Sequence, residues 1–264
     1  MHGPVAITRT VSAGLAACEL TFQARVPMDL ELARAQHADY ERTLAAAGYR
    51  VERLDADESM PDSVFVEDMA IVFDELAILM RPGADSRRGE LPAIAAALAA
   101  YRPLQEIQPP ASIDGGDALV AGRTVYLGRS TRTNDAAATQ MRRILGPFGY
   151  TVVQTEVREV LHLKSAVTVL GDDRLLVNRQ WIDAAAFSSF TLVDVAPEEP
   201  SAANVLRLAD RVLVAKAYPR TADRIAALGL RIEIVDASEL AKAEGALTCC
   251  SLIVPDRQSL VVSR

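Results

Sequence analysis

The chain has 264 residues, of which 50% are hydrophobic, and its 28 Lys and Arg against 35 Asp and Glu give a formal net charge of −7. This length allows a large hydrophobic core, and the composition excludes a disordered or collagen-like chain. The acidic balance argues against an electrostatic nucleic-acid binder. Because the sequence shows neither a long apolar span nor a secretory signal pattern, we expect a cytoplasmic protein without a membrane segment.

Val-, Ile- and Leu-rich segments typical of β-strands alternate along the chain with segments of helical spacing. The predicted strands lie at 5–9, 50–55, 64–73, 76–81, 118–120, 124–127, 151–157, 166–170, 174–178, 192–195, 211–214, 231–235 and 251–254. The predicted helices lie at 30–47, 91–101, 135–145, 202–208 and 221–228.

Each of the five predicted helices is flanked by two or three predicted strands. Units of roughly 53 residues result, which is near the range of structural repeats. Self-similarity between the units is weak, so the pattern alone leaves an ordinary α/β sandwich equally open. Because no linker or charge block separates two halves, we predict a single domain over 1–264.

Cysteine and histidine residues are the first candidates for chemistry. Cys249 and Cys250 are adjacent, and with Cys18 they make an odd count that does not resemble a disulfide framework. Both adjacent thiols could be small core residues, since free cysteine is commonly buried. A nucleophilic role requires a base nearby, for which His162 is the candidate, although a structural histidine remains the alternative.

Acidic side chains in two short segments are the second group of candidates. The sequence DGGD at 114–117 fits a tight turn, and its glycines would also allow a ligand close to the backbone. Asp62 precedes the predicted strand 64–73, and Glu67 and Asp68 lie within it. Alternation along this strand places Asp68 on the same face as Val66. A carboxylate on an apolar face requires a partner or a cationic ligand.

Basic segments at 81–90 and 130–134 are the third group. Their arginines could be solvated turn charges, or they could bind a carboxylate through a bidentate guanidinium. The chain has no Gly-x-Gly-x-x-Gly, no phosphate-binding loop, no His-Glu-x-x-His and no Cys-x-x-Cys. Nucleotide cofactors and zinc therefore have no motif in their favour.

Seven short motifs are distributed over most of the chain. They are PDSVFVED (61–68), RPGADSRRGE (81–90), DGGD (114–117), RTN (132–134), LHLKS (161–165), YPRT (218–221) and LTCCS (247–251). In these motifs the chain resembles the dimethylarginine dimethylaminohydrolase family of the guanidino-group-modifying pentein superfamily. The resemblance implies a five-bladed α/β propeller of ββαβ-like repeats around a central active site.

The resemblance also implies a role for each matching residue. Cys249 would be the nucleophile, His162 the general acid and base, and Asp114 the orienting carboxylate. Asp68, with Glu67, would hold the substrate guanidinium, and Arg87 and Arg132 would hold its α-carboxylate. The α-amino group would meet Asp62 and the backbone carbonyls near Leu20 and Ala243. The segment 11–27 would form a lid, with weaker motif agreement than the rest.

The implied reaction is hydrolysis of N-omega-methylated arginine to citrulline and an amine. A thiolate divides the difficult attack on a resonance-stabilised guanidinium into two steps, and no metal or organic cofactor is required. An arginine deiminase or another amidinohydrolase is the first alternative, although deiminases are typically longer. The second is a non-enzymatic pentein that binds a partner, a class that lacks the Cys, His and acid set. The expected partner is a small-molecule substrate, not nucleic acid, and the sequence leaves open whether the chain forms a homodimer.

Overall fold

The computed structural model describes residues 3–171 and 173–256. Within these residues, fifteen β-strands form five three-stranded sheets, and five α-helices lie between strands. His2 and both ends of the predicted 1–264 domain lie outside the described residues. No helix in the described part of the chain combines the length and the apolar character needed to cross a membrane.

The strands are numbered in chain order. They are β1 (Val5–Arg9), β2 (Arg50–Leu54), β3 (Ala70–Val72), β4 (Ala77–Leu79), β5 (Leu104–Glu106), β6 (Ala118–Ala121), β7 (Thr124–Arg129), β8 (Thr151–Glu156), β9 (Val167–Gly171), β10 (Arg174–Val177), β11 (Thr191–Asp194), β12 (Leu206–Arg207), β13 (Val212–Ala215), β14 (Ile232–Val235) and β15 (Leu252–Val254). The helices are α1 (Leu30–Ala46), α2 (Leu91–Leu98), α3 (Asp135–Leu145), α4 (Pro219–Ala227) and α5 (Ser238–Ala241).

One topology recurs in all five sheets. A first strand pairs antiparallel with a second, and the second pairs parallel with a third, as in β3–β4–β5, β6–β7–β8, β9–β10–β11 and β12–β13–β14. A parallel pair requires a crossover connection, and α2, α3 and α4 provide it in three of these sheets. The five sheets are the blades of the predicted propeller.

The first blade joins the two ends of the described chain. In the order β15–β1–β2, the last strand pairs antiparallel with β1, and α1 crosses over to the parallel β2. Strand β15 thus takes the place that β3, β6, β9 and β12 take in the other blades. The chain closes the ring by hydrogen bonds between β1 and β15, which are far apart in sequence.

Local sequence signals explain the helix ends. The side chain of Asp29 accepts a hydrogen bond from the N–H of Leu32 at 3.0 Å and caps α1, and Asn134 caps α3 in the same way. After α1 the chain turns at Gly48, which has a φ of 91° that favours glycine. The middle strand β4 is buried along its whole length, which accounts for its uninterrupted hydrophobic sequence. Strand β1 is also buried throughout, and its polar end residues Thr8 and Arg9 hydrogen-bond to Glu41 and to the backbone oxygen of Asp55.

A short 3₁₀ turn precedes the first-position strand of every blade. These turns are Val66–Met69 before β3, Gly115–Asp117 before β6, Leu163–Ser165 before β9, Pro200–Ala203 before β12 and Thr248–Cys250 before β15. The first of them contacts the second and the fifth, and the third contacts the second and the fourth. The repeat therefore gathers five short segments at one end of the propeller.

Several predicted elements were wrong. The segment 64–73 is a 3₁₀ turn followed by a three-residue strand, because Val66 and Met69 both enter the core at the i, i+3 spacing of a 3₁₀ helix. The alternation argument for Asp68 therefore fails. The segment 202–208 is not a helix, since Asn204 and Val205 lead directly into β12. The short strands β5 and β12 and the one-turn α5 were not predicted.

Candidate active site

A cavity of about 30 Å³ lies between residues in or next to four of the 3₁₀ turns and Glu19 of the segment 11–27. Eight of the ten site residues expected from the sequence line it: Asp62, Asp68, Arg87, Asp114, Arg132, His162, Ala243 and Cys249. Glu67 and Leu20 do not, although Glu19, next to Leu20, does. The structure thus brings residues from four of the blades to one small space.

His162 and Asp114 form a buried hydrogen-bonded pair. Nε2 of His162 lies 3.0 Å from Oδ2 of Asp114, whose Oδ1 accepts the N–H of Gly83 at 2.8 Å. Neither residue is in a helix or strand, because each directly precedes one of the 3₁₀ turns. The hydrogen bond from Gly83 holds the Asp114 carboxylate in place, and this carboxylate in turn orients the imidazole ring. A general acid and base must be oriented in this way.

Glycines allow this close packing. A Cβ atom at Gly115 would lie 1.9 Å from the backbone oxygen of Glu67, and one at Gly116 would lie 2.5 Å from Nδ1 of His162. Both distances are far below ordinary contact. The DGGD motif is therefore a tight turn whose backbone approaches other site residues closely. The close approach of a ligand to this backbone stays a prediction.

Carboxylates keep His162 protonated. Burial alone lowers the pKa of a histidine, but Asp68, the hydrogen bond to Asp114 and the charge of Asp117 outweigh it and raise the pKa of His162 to about 9. Asp117 is fully buried and accepts hydrogen bonds from Ser130, Thr133 and the N–H of Leu163. At neutral pH the ring therefore carries a proton that it can donate.

Arg87 is buried among acceptors. Its guanidinium donates to Asp68 at 2.5 Å, to Glu90 at 3.0 and 2.9 Å, and to the backbone oxygens of Asp62 and Phe65. These partners occupy its Nε and Nη2 donors and one of the two N–H groups on Nη1. Arg87 thus fixes the position of Asp68. Within the described residues, the second N–H of Nη1 has no acceptor and can donate to a ligand.

Asp68 is the carboxylate that faces both the arginine and the histidine. Oδ1 accepts the N–H of Gly116 at 3.1 Å and lies 3.8 Å from Nδ1 of His162. Burial raises the pKa of Asp68, but the charges of His162 and Arg87 and the hydrogen bonds reverse this and lower it overall. A buried carboxylate that stays ionised beside a cavity can hold a cationic ligand.

The two adjacent thiols have different environments. Cys249 lines the cavity, whereas Cys250 is buried in an apolar cluster and its Sγ lies 3.5 Å from the backbone oxygen of Ala246. Burial, together with the negative charges of Glu67 and Asp68, raises the pKa of the Cys249 thiol well above its usual value. The thiol is therefore protonated in the free site at neutral pH.

Glu67 lies behind the cavity wall and is held by other side chains. Its carboxylate accepts from Lys164 Nζ at 2.6 Å and from the Thr248 hydroxyl at 2.7 Å. Asn204 in turn hydrogen-bonds to Thr248 through its side chain, at 3.0 Å to the hydroxyl and 3.1 Å from the N–H. These contacts tie the turn that carries Cys249 to two neighbouring blades. The direct contact of Glu67 with a guanidinium stays a prediction.

The segment 11–27 covers the other side of the cavity. The N–H of Glu19 donates to Asp62 at 3.1 Å, and Nη2 of Arg132 donates to the Thr21 hydroxyl at 3.2 Å. Arg132 is only partly buried, so its guanidinium can change partners more readily than that of Arg87. The contacts of this segment place Leu20 next to the cavity without lining it.

Asp68, Asp114 and His162 also have the spacing of a metal site, since one ligand atom from each lies within 4.8 Å of the others. The ion pair with Arg87 already compensates Asp68, and the hydrogen bond to Asp114 engages Nε2 of His162. A metal-ligating imidazole must be neutral, whereas the pKa of His162 is raised to about 9, so these three residues are poorly matched to a metal ion.

Sequence reasoning missed several residues that support this site. Lys164 and Asp117 lie in motifs that were noted, but their partners are 97 and 46 residues away, so no local pattern assigns them a role. Asn204 follows a run of small residues that has a helical appearance. Its position just before β12 becomes informative only once the 3₁₀ turn before each first-position strand is known.

Comparison with known proteins agrees with the geometry. The family profile described as "N,N dimethylarginine dimethylhydrolase, eukaryotic" matches residues 17–214. The chain is 39% identical over 254 residues to N(G),N(G)-dimethylarginine dimethylaminohydrolase of Streptomyces coelicolor, covering 96% of this chain and 97% of the relative. The chain belongs to the dimethylarginine dimethylaminohydrolase family. The enzyme of that name from Pseudomonas aeruginosa is 37% identical, over 85% of this chain and 89% of its own.

Solved structures of this family superpose closely. A cysteine-to-serine variant of the Pseudomonas aeruginosa protein, complexed with citrulline, matches with a TM-score of 0.90 and 34% identity, over 96% of this chain and 100% of that chain. The N-terminal domain of ArgZ, titled an arginine dihydrolase, matches with a TM-score of 0.87 at 19% identity and shares the fold. These likenesses confirm the expected five-bladed pentein propeller.

Proposed function

We propose that this chain hydrolyses N-omega-methylated L-arginine, including asymmetric dimethylarginine and monomethylarginine, to citrulline and dimethylamine or methylamine. One observation carries the proposal: Cys249, the His162–Asp114 pair and Asp68 line a single cavity. A nucleophile, a protonated acid and a fixed carboxylate for a cation are what attack on a guanidinium requires. Membership of the family supplies the substrate class.

The charges around the cavity match the three charged groups of an amino acid with a guanidinium tail. Asp68 is proposed to bind the guanidinium, with Glu67 adding negative charge from behind the wall. Arg132 and the remaining Nη1 donor of Arg87 would bind the α-carboxylate. The α-amino group would lie near Asp62 and the carbonyls of Leu20 and Ala243. The contact between Glu19 and Asp62 supports this end of the assignment.

The thiol and the imidazolium are both protonated in the free site, which determines the order of proton transfers. A bound guanidinium offsets the carboxylate field and favours ionisation of Cys249, whose proton passes to solvent because His162 is already protonated. The thiolate then bonds to the guanidinium carbon, and the proton of His162 goes to the leaving amine as the C–N bond breaks. A thiouronium adduct on Cys249 and a neutral imidazole result.

Water completes the reaction. Neutral His162 removes a proton from water, and the water oxygen bonds to the thiouronium carbon. The C–S bond then breaks to release citrulline, and the remaining hydroxyl proton returns to the Cys249 sulfur. Asp114 holds the ring by the same hydrogen bond in both steps, and Asp68 keeps the reacting carbon in place. The sum is one substrate cation and one water converted to citrulline and one protonated amine.

The cavity is too small to admit a substrate in the observed arrangement. Its volume of about 30 Å³ is far below the roughly 300–1,000 Å³ that is typical of ligand pockets. Since 11–27 supplies one wall, we assign this segment as a lid that opens to admit substrate. Closing it excludes water during attack by the thiolate.

The test is incubation of the purified protein with arginine, monomethylarginine and asymmetric dimethylarginine. We expect citrulline from both methylated compounds, with methylamine or dimethylamine in equal amount. Citrulline and ammonia from arginine at a higher kcat/KM would instead establish the alternative of a deiminase. Absence of citrulline from all three would refute the proposal.

A further inference from the structure

Glu244 binds three successive backbone N–H groups of the lid. The N–H of Thr21 donates to both carboxylate oxygens at 3.1 and 3.0 Å. The N–H groups of Phe22 and Gln23 donate to Oε1 at 2.5 and 2.7 Å. Because residues 21–27 are exposed, this single carboxylate is a major attachment for this part of the segment. Consecutive N–H groups around one anionic group are a recognised way in which the main chain binds anions.

The backbone at Glu244 is held in a specific conformation. Its φ of 57° lies in the left-handed region, which is uncommon for a residue with a Cβ atom. The following Gly245 packs so closely that a Cβ atom there would lie 2.1 Å from the Phe65 ring, and its N–H donates to the Leu240 oxygen at 3.1 Å. Glu244 therefore stands on a firmly packed loop between Ala243 and the turn of Cys249.

Glu244 lies on the boundary between two cavities. Together with Leu161 and Gly245 it lines the catalytic cavity and also a neighbouring, more open cavity of about 440 Å³. Phe22 and Gln23, whose N–H groups Glu244 binds, line the larger one as well. The lid residues held by this carboxylate thus stand between the catalytic cavity and the open space through which substrate can arrive.

We propose that Glu244 is a positioning residue for methylarginine hydrolysis, acting as a latch that holds the lid closed over the catalytic cavity. This inference rests on the proposed function. Hydrogen bonds from exposed backbone groups exchange with water at small net cost, so the latch can release and re-form in each turnover. Its closure brings Leu20 near the substrate while Ala243, adjacent to Glu244, stays fixed.

The experiment compares Glu244→Asn, Glu244→Gln and the control Glu198→Gln. Asparagine tolerates left-handed φ but is shorter and uncharged, so it removes the latch and keeps the backbone conformation. Glutamine keeps the length and one oxygen acceptor. Glu198 is exposed, pairs with Arg220 at the surface and lies outside the proposed site. Circular dichroism checks that each variant is folded.

Two measurements report whether the lid is open or closed, and neither requires turnover of a substrate. Trypsin can cut after Arg25, which lies in the lid, and the rate of this cleavage measures lid opening. Trp181 is the single tryptophan of the chain and lines the larger cavity with Phe22, so its emission responds to movement of the lid. Both are measured with and without citrulline, which should favour the closed lid.

We expect Glu244→Asn to be cut at Arg25 at least about tenfold faster than the wild type and to have altered Trp181 emission. Its kcat/KM for dimethylarginine should fall about 10- to 100-fold, mainly through a higher KM, with Glu244→Gln between it and the wild type. If Glu244→Asn has the same cleavage rate and Trp181 emission as the control Glu198→Gln, the latch proposal is wrong. If the asparagine variant does not fold, the same comparison is made with Glu244→Gln. If the wild type releases no citrulline, the proposed function fails, whereas cleavage and emission still judge the latch.

Discussion

A Cβ atom at position 116 would lie 2.5 Å from Nδ1 and 2.8 Å from Cγ of His162, so the glycine backbone and the imidazole ring are in direct contact. Real Cβ atoms do not approach other atoms so closely, and the site therefore depends on a hydrogen at this position. The same residue donates its N–H to Asp68 at 3.1 Å. Gly116 thus fixes the relative positions of the acid that holds the cation and the residue that moves the proton.

Gly116→Ala should displace the His162 ring while leaving the fold intact. A shift of about 1 Å in a catalytic group costs about 100-fold, and we expect kcat for dimethylarginine to fall by that order. Steady-state citrulline production measures it. The matched control is Gly146→Ala, since Gly146 has helical φ and ψ and its Cβ would meet no atom within 4 Å. Wild-type kcat in Gly116→Ala would show that the ring tolerates the added methyl group.

Cys249→Ser should abolish turnover, whereas Cys250→Ser should keep kcat within about threefold of the wild type. The reason is that Cys249 lines the cavity, while a serine at 250 can keep the contact with the Ala246 oxygen. Citrulline production separates the two variants, which serve as controls for each other. Cys250→Ser is also expected to lower the melting temperature slightly because it places a hydroxyl in an apolar cluster.

The thiol can also be located by a cationic reagent. Chloroacetamidine carries the charge that favours the Cys249 thiolate, and neutral chloroacetamide does not, so the amidine should react much faster at neutral pH. Peptide mass spectrometry of the alkylated protein should find the adduct on Cys249. Modification of Cys250 instead, or equal rates for both reagents, would contradict the assignment.

The sequence predicted the chemistry of the site better than its geometry. Cys249, His162 and Asp114 were identified because their motifs resemble those of a known family, and the structure places all three in one cavity. Asp68 was assigned to one face of a strand, whereas Val66–Met69 form a 3₁₀ turn and the strand begins only at Ala70. A Val- and Ile-rich run has strand composition whether it forms a strand or a 3₁₀ turn, and only the tertiary contacts decide.

Other features depend on contacts that no local pattern records. Thr21 and Glu244 are 223 residues apart, and the hydrogen bonds between lid and latch exist only when the ring of blades is closed. The two-residue strand β12 and the partly exposed β5 have little hydrophobic signal, so they were not predicted. Buried middle strands such as β4 were recognised because they are apolar throughout.

Arg132→Ala should raise KM for dimethylarginine about 10- to 150-fold without a large loss of stability. A lost hydrogen bond to a charged group is worth about 1.5–3 kcal/mol, which corresponds to that range. Arg132 is partly buried, and among the described residues its side chain donates to the Thr21 hydroxyl, so little else is disturbed. Agmatine, which lacks the α-carboxylate, should be a poor substrate. Efficient agmatine turnover would refute the assigned carboxylate contact.

Arg87→Ala should behave differently, and this contrast tests its second role. Removing one member of a buried ion pair costs about 3–5 kcal/mol, and here Asp68 and Glu90 would both lose their partner. We therefore expect a fall in melting temperature of roughly 10 °C together with the higher KM. A stable Arg87→Ala protein with only a KM effect would mean that the substrate contact is its principal role.

His162→Gly should accumulate the covalent intermediate. Attack by Cys249 is assisted by the substrate cation, whereas hydrolysis of the thiouronium adduct requires a base, so the second step should slow more than the first. Intact-mass analysis of the variant mixed with dimethylarginine should show an added mass equal to the substrate less its amine. Detecting unchanged turnover and no adduct would make His162 a structural residue.

His162 should also make stability depend on pH in one direction. Its pKa is about 9 in the folded protein and about 6.5 in an unfolded chain, so the folded state holds the proton more tightly. The resulting stabilisation is fully present below about pH 6.5, decreases as the pH rises, and is lost above about pH 9. A difference of this size corresponds to about 3 kcal/mol.

Urea unfolding of the wild type and of His162→Gln at pH 6 and pH 9.5 measures this dependence. Other groups titrate in both proteins, so the change in the difference between the two free energies of unfolding isolates the histidine. We expect the wild type to lose its advantage over the variant as the pH rises, by an amount of the order of 3 kcal/mol. A difference that stays constant between the two pH values would mean that folding leaves the pKa of His162 near its unfolded value of about 6.5, so the ring would be largely neutral in the free site above pH 7.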